Sequence, residues 1–198
     1  MCARELALAV TALRRGGIIA YATESCFGLG CDPRNRRAVL RLLRLKQRAA
    51  NKGLILIAAD PQQLAPYVAH FPRKALASWP GPRTWLLQPT ETAPPWIRGR
   101  HPRIAVRVTR HAQAAALCRA ADMALVSTSA NRAGERPARS YRQVLRRFGA
   151  ELDYVLPGRI GELKTPTPIT DAVTGEFRAR RSRARLVMSP TTPNFETL

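Results

Sequence analysis

Lys46, Arg48 and Lys52 place three cations within one seven-residue stretch. Ammonium and guanidinium groups this close repel unless an anion lies between them, and a polyphosphate is the simplest anion able to reach all three. Later in the chain, Ser127-Thr128-Ser129-Ala130-Asn131 follows an apolar run and ends it with three hydroxyls and an amide, with Gly134 and Pro137 beyond. Such groups at a strand terminus suit phosphate and ribose oxygens. The two segments together predict a nucleotide seat, one made without a P-loop, because G-x-x-x-x-G-K-[ST] does not occur. Simpler structural roles exist for both. A helix C-terminus accounts for one of the cations through its dipole, and a capping turn accounts for the hydroxyls.

Two further segments carry chemistry. Ala22-Thr23-Glu24-Ser25-Cys26-Phe27-Gly28-Leu29-Gly30 directly follows an apolar run. A hydroxylated, glycine-bearing loop at a strand end is a common ligand position in α/β proteins, and it is also an ordinary strand-to-helix turn. Arg107 interrupts the apolar run Ile104-Ala105-Val106-Arg107-Val108. An arginine there either meets solvent or a protein carboxylate, or clamps a substrate carboxylate with two parallel hydrogen bonds.

Alternating short apolar runs and amphipathic stretches must position these groups. Residues 5–15 read as a helix stopped by Gly16-Gly17, and 18–22 as a buried strand. Residues 23–32 read as a polar loop, 36–46 as a helix behind the cap at 32–35, and 53–59 as a strand. A helix is expected over 60–67, a rigid turn at 79–82, strands over 84–87 and 104–108, and a proline-rich loop over 89–102. Helices over 111–120 and 140–148 flank a strand at 124–127 and a loop at 131–139. Strands at 155, 169–173 and 176–177 follow, the last two forming a hairpin across Thr174-Gly175. The expectation is a single α/β domain with a mixed sheet flanked by helices, spanning 1–187, and a flexible tail over 188–198.

The chain has 198 residues, enough for one substantial core. Its 33 basic and 13 acidic residues leave a net charge of +20, and only four of the cations are lysines. Such a field favours nucleotides or nucleic acid as partners. The four cysteines form no C-x-x-C pair and the three histidines show no ligand spacing, which predicts reduced thiols and no protein-built metal site. No apolar run is long enough to span a bilayer and no secretory signal opens the chain, so a cytoplasmic protein without a membrane partner is expected.

In order and spacing, these segments resemble the YrdC/TsaC family of threonylcarbamoyl-AMP synthases. The resemblance rests on A-T-E-x-x-x-G-L-G at 22–30, K-Q-R with N-K-G-L-I-L-I at 46–57, W-P-G-P-x-T at 79–84 and A-V-R-V at 105–108. It continues through L-V-S-T-S-A-N-x-x-G-x-x-P at 125–137, then Gly158, Gly161, Thr167, Ile169, Asp171 and Ala172. It implies a short, single-domain member whose twisted mixed sheet carries a concave basic cleft. It also implies a nucleotidyltransferase activity: L-threonine, bicarbonate and ATP give threonylcarbamoyl-AMP and pyrophosphate. A partner complex would then transfer the threonylcarbamoyl group to N6 of adenosine 37 in tRNAs reading codons that begin with A. By the same resemblance Lys46, Arg48 and Lys52 serve catalysis, with Lys46 and Arg48 on the triphosphate. Ser129, Asn131, Pro137 and Arg178 complete the ATP site, while Thr23, Arg107, Ser127 and Thr167 hold threonine. Magnesium would arrive on the nucleotide.

The chain departs from the family pattern at Ala22 and Ala49, where prolines are usual, and at Thr167-Pro168-Ile169-Thr170-Asp171. Two rival readings remain. One is an RNA-binding module, favoured by the charge but short of aromatic stacking platforms at 6% aromatic residues, with direct tRNA contact as its expectation. The other is a carbamoyl-phosphate-dependent maturation domain, disfavoured by the absence of C-x-x-C.

Overall fold

The computed structural model describes residues 2–175 and the backbone of 177–178. The expected tail over 188–198 and the domain end at 187 lie outside the described residues. Among the described residues nine strands form one mixed sheet: β1 (Ile19–Ala22), β2 (Phe27–Gly30), β3 (Ile55–Ala58), β4 (Thr84–Leu87), β5 (Ile104–Val108), β6 (Leu125–Ser129), β7 (Tyr154–Val155), β8 (Ile169–Asp171) and β9 (Phe177–Arg178). Their spatial order is β7-β1-β2-β6-β3-β5-β4-β8-β9. The pairs β1–β7, β3–β5 and β4–β8 are parallel, and the others are antiparallel. Six helices accompany them: α1 (Ala3–Arg14), α2 (Arg36–Leu45), α3 (Arg73–Ala77), α4 (Pro95–Arg98), α5 (Ala112–Ala121) and α6 (Tyr141–Phe148).

Strand residues alternate between faces, and the burial follows that period of two. Ile18, Ala20, Ala22, Leu56, Ala58 and Val126 enter one core with the apolar faces of α2 and α6. Ile19, Tyr21, Ile57 and Leu125 enter a second core with Ala9, Val10 and Leu13 of α1 and Ala114, Leu117 and Cys118 of α5. A fully buried Ile or Leu contributes about 1.5–3 kcal/mol, so two covered faces outweigh any local strand preference. Helices α2, α5 and α6 begin at side-chain caps. Asn35 accepts from the Ala38 amide at 3.0 Å, and Ser140 accepts from the Gln143 amide at 3.3 Å. α2 stops at Lys46, and Gln47 then takes a left-handed φ of 51° that turns the chain away from the helix axis.

Four local expectations need correction. Residues 27–30 are strand β2, not loop. Their two glycines weaken strand propensity, yet a Cβ on Gly30 would stand 2.5 Å from the Val126 carbonyl, so close packing against β6 and Tyr21 demands glycine there. The helix expected over 60–67 is only a 3₁₀ turn, Gln62–Leu64, because Pro66 cannot donate to a continuing helix. The loop 89–102 contains α4, opened by prolines at its first turn. Residues 73–77, given no element from sequence, form α3.

Candidate active site

α1 and α5 cover only part of their sheet face, and the uncovered part is the cleft. One unbroken cross-strand row crosses it. Ser127 pairs with Ile55, Ile55 with Ala105, Ala105 with Leu86, and Leu86 with Asp171. All five line a cavity of about 170 Å³, rimmed by Arg48, Lys52, Arg98, His101 and Arg103. A smaller recess of about 60 Å³ adjoins it, lined by Thr23, Ser25, Cys26, Arg107, Ser129, Pro137 and Thr167 among others. Ile55, Ser127 and Thr128 belong to both, so the two adjoin across these residues.

The cations of the forties and the hydroxyls of β6 therefore meet. Lys46 is buried, and its ammonium donates to the carbonyls of Ser129 and, at 2.8 Å, Asn131. In return the Ala133 amide donates to the Lys46 carbonyl at 3.0 Å. The end of α2 is thus tied to the turn after β6. Within that turn the Ser129 hydroxyl donates to Asn131 Oδ1 at 2.6 Å, and Asn131 Nδ2 donates to the Arg132 and Glu135 carbonyls at 2.8 and 3.0 Å. Lys46 and Asn131 stand behind the cleft wall, whereas Arg48 and Lys52 stand on it. The Arg48 guanidinium donates to the Gly53 carbonyl at 2.9 Å, which aligns it along the mouth of β3.

Arg107 lies deeper, 5% exposed, and faces Glu24, which is 7% exposed. Its Nη2 donates to Glu24 Oε2 at 3.2 Å, and its Nη1 donates to Thr167 Oγ1 at 2.5 Å and Thr84 Oγ1 at 3.4 Å. Arg107 Nε has no partner among the described residues. Thr109 donates to Glu24 Oε1 at 2.7 Å. Burial drives the Glu24 carboxyl upward, but the Arg107 guanidinium and the Thr109 hydroxyl outweigh it and hold the group below its ordinary value, hence ionised. Thr23 donates its hydroxyl to the Cys26 carbonyl at 2.7 Å, closing the turn that carries it.

The segment from Pro157 to Thr167 crosses this end of the cleft. It is held by Gly161 N–H on the Thr23 carbonyl (2.9 Å), Leu163 N–H on the Glu24 carbonyl (3.1 Å) and Gln113 Nε2 on the Pro157 carbonyl (2.7 Å). Gln113 Oε1 also accepts from the Ala22 amide at 3.2 Å.

Of the residues singled out from sequence, Arg48, Lys52 and Ser127 meet in the larger cavity. Thr23, Arg107, Ser127, Ser129, Pro137 and Thr167 meet in the recess. Arg178 pairs through its backbone with Ile169, and its side chain lies outside the described residues. Sequence reasoning assigned no role to Glu24, Thr84, Thr109, Arg98, His101 or Arg103. Thr84 and Arg107 share the parity of Leu86 and Ala105 on β4 and β5, a signal that becomes usable once the strands are aligned. Among the described residues no cluster of His, Cys, Asp or Glu could hold a metal ion, and no helix is long and apolar enough to cross a membrane.

Known proteins are similar to this chain in sequence and fold. A threonylcarbamoyl-AMP synthase of Halorhodospira halophila is 53% identical over 176 residues, covering 87% of this chain and 92% of the relative. The structure of E. coli YciO superposes with a TM-score of 0.78 at 26% identity, covering 90% of this chain and 88% of YciO. P. abyssi Sua5, solved in complex with L-threonine, superposes with a TM-score of 0.81 at 27% identity over 87% of this chain. The chain spans about half the length of that Sua5, 52%. Residues 11–182 match the family model Sua5_yciO_yrdC, described as "Telomere recombination". The chain belongs to the Sua5/YciO/YrdC family.

Proposed function

We propose that the chain is an L-threonylcarbamoyladenylate synthase, a nucleotidyltransferase that makes threonylcarbamoyl-AMP and pyrophosphate from L-threonine, bicarbonate and ATP. The observation that carries this reading is the adjacency of the two cavities. A cation-rimmed cavity shares Ser127 and Thr128 with a recess that has a buried arginine in its lining. An anionic triphosphate suits the first part and an amino-acid carboxylate suits the second, so the amine end of the amino acid falls between them.

In this reading Arg107 and Thr167 take the threonine carboxylate, with Thr23 and Ser127 along the same wall. The threonine amine condenses with bicarbonate to give a carbamate and water, and a carbamate oxygen attacks the α-phosphorus of ATP. The bond from that phosphorus to the bridging oxygen breaks, and pyrophosphate leaves. Displacement at phosphorus needs alignment and charge neutralisation more than a covalent nucleophile. Arg48 and Lys52 supply positive charge where the pyrophosphate departs. Lys46 holds the Ser129–Asn131 turn against α2, so that Ser129 and Pro137 present a fixed wall to the nucleotide while Asn131 braces Ser129 from behind. Arg178 on β9 is the remaining nucleotide ligand, and magnesium arrives with the triphosphate. The concave basic cleft, the cytoplasmic setting and a transferase complex that carries the product to tRNA belong to the same proposal.

The test is direct. The purified protein is incubated with ATP and bicarbonate plus either L-threonine or L-valine, and pyrophosphate and the adenylate are measured. The expected result is equal amounts of pyrophosphate and threonylcarbamoyl-AMP with threonine, and little of either with valine. Pyrophosphate release indifferent to the amino acid contradicts the reading.

A further inference from the structure

Glu24 lines neither cavity, yet it is tied to the buried arginine of the recess and to the segment that crosses it. Its Oε2 accepts from Arg107 at 3.2 Å, and its Oε1 accepts from Thr109 at 2.7 Å. Its backbone carbonyl accepts from Leu163 at 3.1 Å, within the crossing segment that carries Thr167. Thr167 in turn accepts from the other terminal nitrogen of Arg107 at 2.5 Å. Glu24 thereby holds one terminal nitrogen of the guanidinium directly, and through its backbone it braces the segment whose Thr167 holds the other.

Burying a guanidinium is costly unless a counter-charge sits beside it, and the pair is restrained most when the carboxylate has its own second partner. Thr109 is that partner. Two strands therefore fix the base of the recess: β5 carries Arg107 and leads into Thr109, while the loop after β1 carries Glu24. Packing leaves little slack, because a Cβ on Gly161 would lie 2.8 Å from the Glu24 carbonyl oxygen.

We infer that Glu24, held by Thr109, is the positioning residue that orients Arg107 toward the amino-acid substrate, and so sets affinity for threonine without touching it. The inference rests on the proposed threonine role of the recess. Glu24 thereby acts at the amino-acid end of the cleft, whereas Arg48, among the groups assigned to phosphate, donates to the Lys52 and Gly53 carbonyls.

The test compares Glu24→Gln, Glu24→Asp and Thr109→Val with the wild type, measuring pyrophosphate release while threonine and ATP are titrated separately. Glu24→Gln keeps the shape and removes the charge; Thr109→Val keeps the volume and removes the hydroxyl. For Glu24→Gln the KM for threonine should rise about tenfold or more, while the KM for ATP stays within about twofold. Thr109→Val should shift the threonine KM in the same direction by about two- to fivefold, and Glu24→Asp should fall between wild type and Glu24→Gln. A merely structural acid would lower the active fraction and leave both KM values in place. If Glu24→Gln does not fold, Thr109→Val decides alone. An active wild type with the threonine KM unshifted in the folded variants overturns the inference and leaves the function intact. A wild type that releases no pyrophosphate with threonine overturns the proposed function, and the inference with it.

Discussion

Arg107 and Glu24 form a buried pair, and the pair predicts its own thermodynamics. Arg107→Met leaves the Glu24 carboxylate buried without its cation, a loss of about 3–5 kcal/mol. Adding Glu24→Gln removes the stranded charge, so the double variant should be more stable to urea than Arg107→Met alone. A double variant that loses the sum of both single effects would show that the two groups do not interact. The pH dependence has a definite sign. The folded-state pKa of Glu24 lies below its unfolded value, so its contribution is complete above the ordinary carboxylate range and is lost as pH falls through the folded value. The stability gap between wild type and Glu24→Gln should therefore narrow on acidification below about pH 4.5. A gap that widens would contradict the assignment. At this scale Thr23, Arg107 and Ser127 stand out in sequence because each breaks an apolar or glycine-bearing pattern, whereas Thr167 stands out only through the family resemblance. Glu24 is not legible as a partner, because Arg107 lies 83 positions away and only the strand order brings the two together.

At the scale of elements, the cleft depends on two ties. The first is the Lys46 ammonium between α2 and the turn after β6. Lys46→Met keeps the aliphatic stem and removes charge-assisted hydrogen bonds worth about 1.5–3 kcal/mol each. Amide exchange should quicken over residues 131–133, and the KM for ATP should rise about tenfold or more. Unchanged exchange with unchanged KM would remove Lys46 from any role in shaping the nucleotide wall. The second tie is the crossing segment. On Gly158 a Cβ would lie 2.3 Å from Gln113 Oε1, the side chain that bridges the Ala22 amide and the Pro157 carbonyl. Gly158→Ala should cost about 1–3 kcal/mol of stability. Its melting temperature checks this, and an unaltered melt would show that Gln113 can move aside. Long periodic elements such as α2, α5 and α6 are readable from sequence, because their apolar spacing is set by burial against the sheet. β2 and α4 are not, because glycine and proline there answer to close approach and capping instead of propensity.

For the whole molecule, charge and burial lead to different tests. A net charge of +20 predicts salt-dependent attraction to tRNA outside the cleft. Affinity for tRNA should fall by about tenfold or more between 50 and 200 mM salt, and affinity indifferent to salt would exclude phosphate contacts. Burial pushes the Cys31 and Cys118 thiols up to about 12, which keeps them protonated and unreactive in the folded protein. The overall α/β class and mixed sheet are legible from the alternation of apolar runs with amphipathic helices. The strand order is not, because pairing between β6 and both β2 and β3 depends on which faces the helices cover.

The α-phosphate of ATP is expected beside Ser127 and Thr128, the residues shared by the two parts of the cleft. A crystal structure with L-threonine and a non-hydrolysable ATP analogue measures this directly. The expected result places the triphosphate against Arg48, Lys52 and the Ser127–Asn131 turn, and the threonine carboxylate on Arg107, its amine toward the α-phosphate. A nucleotide bound elsewhere on the molecule, or a threonine whose carboxylate points away from Arg107, would contradict the account.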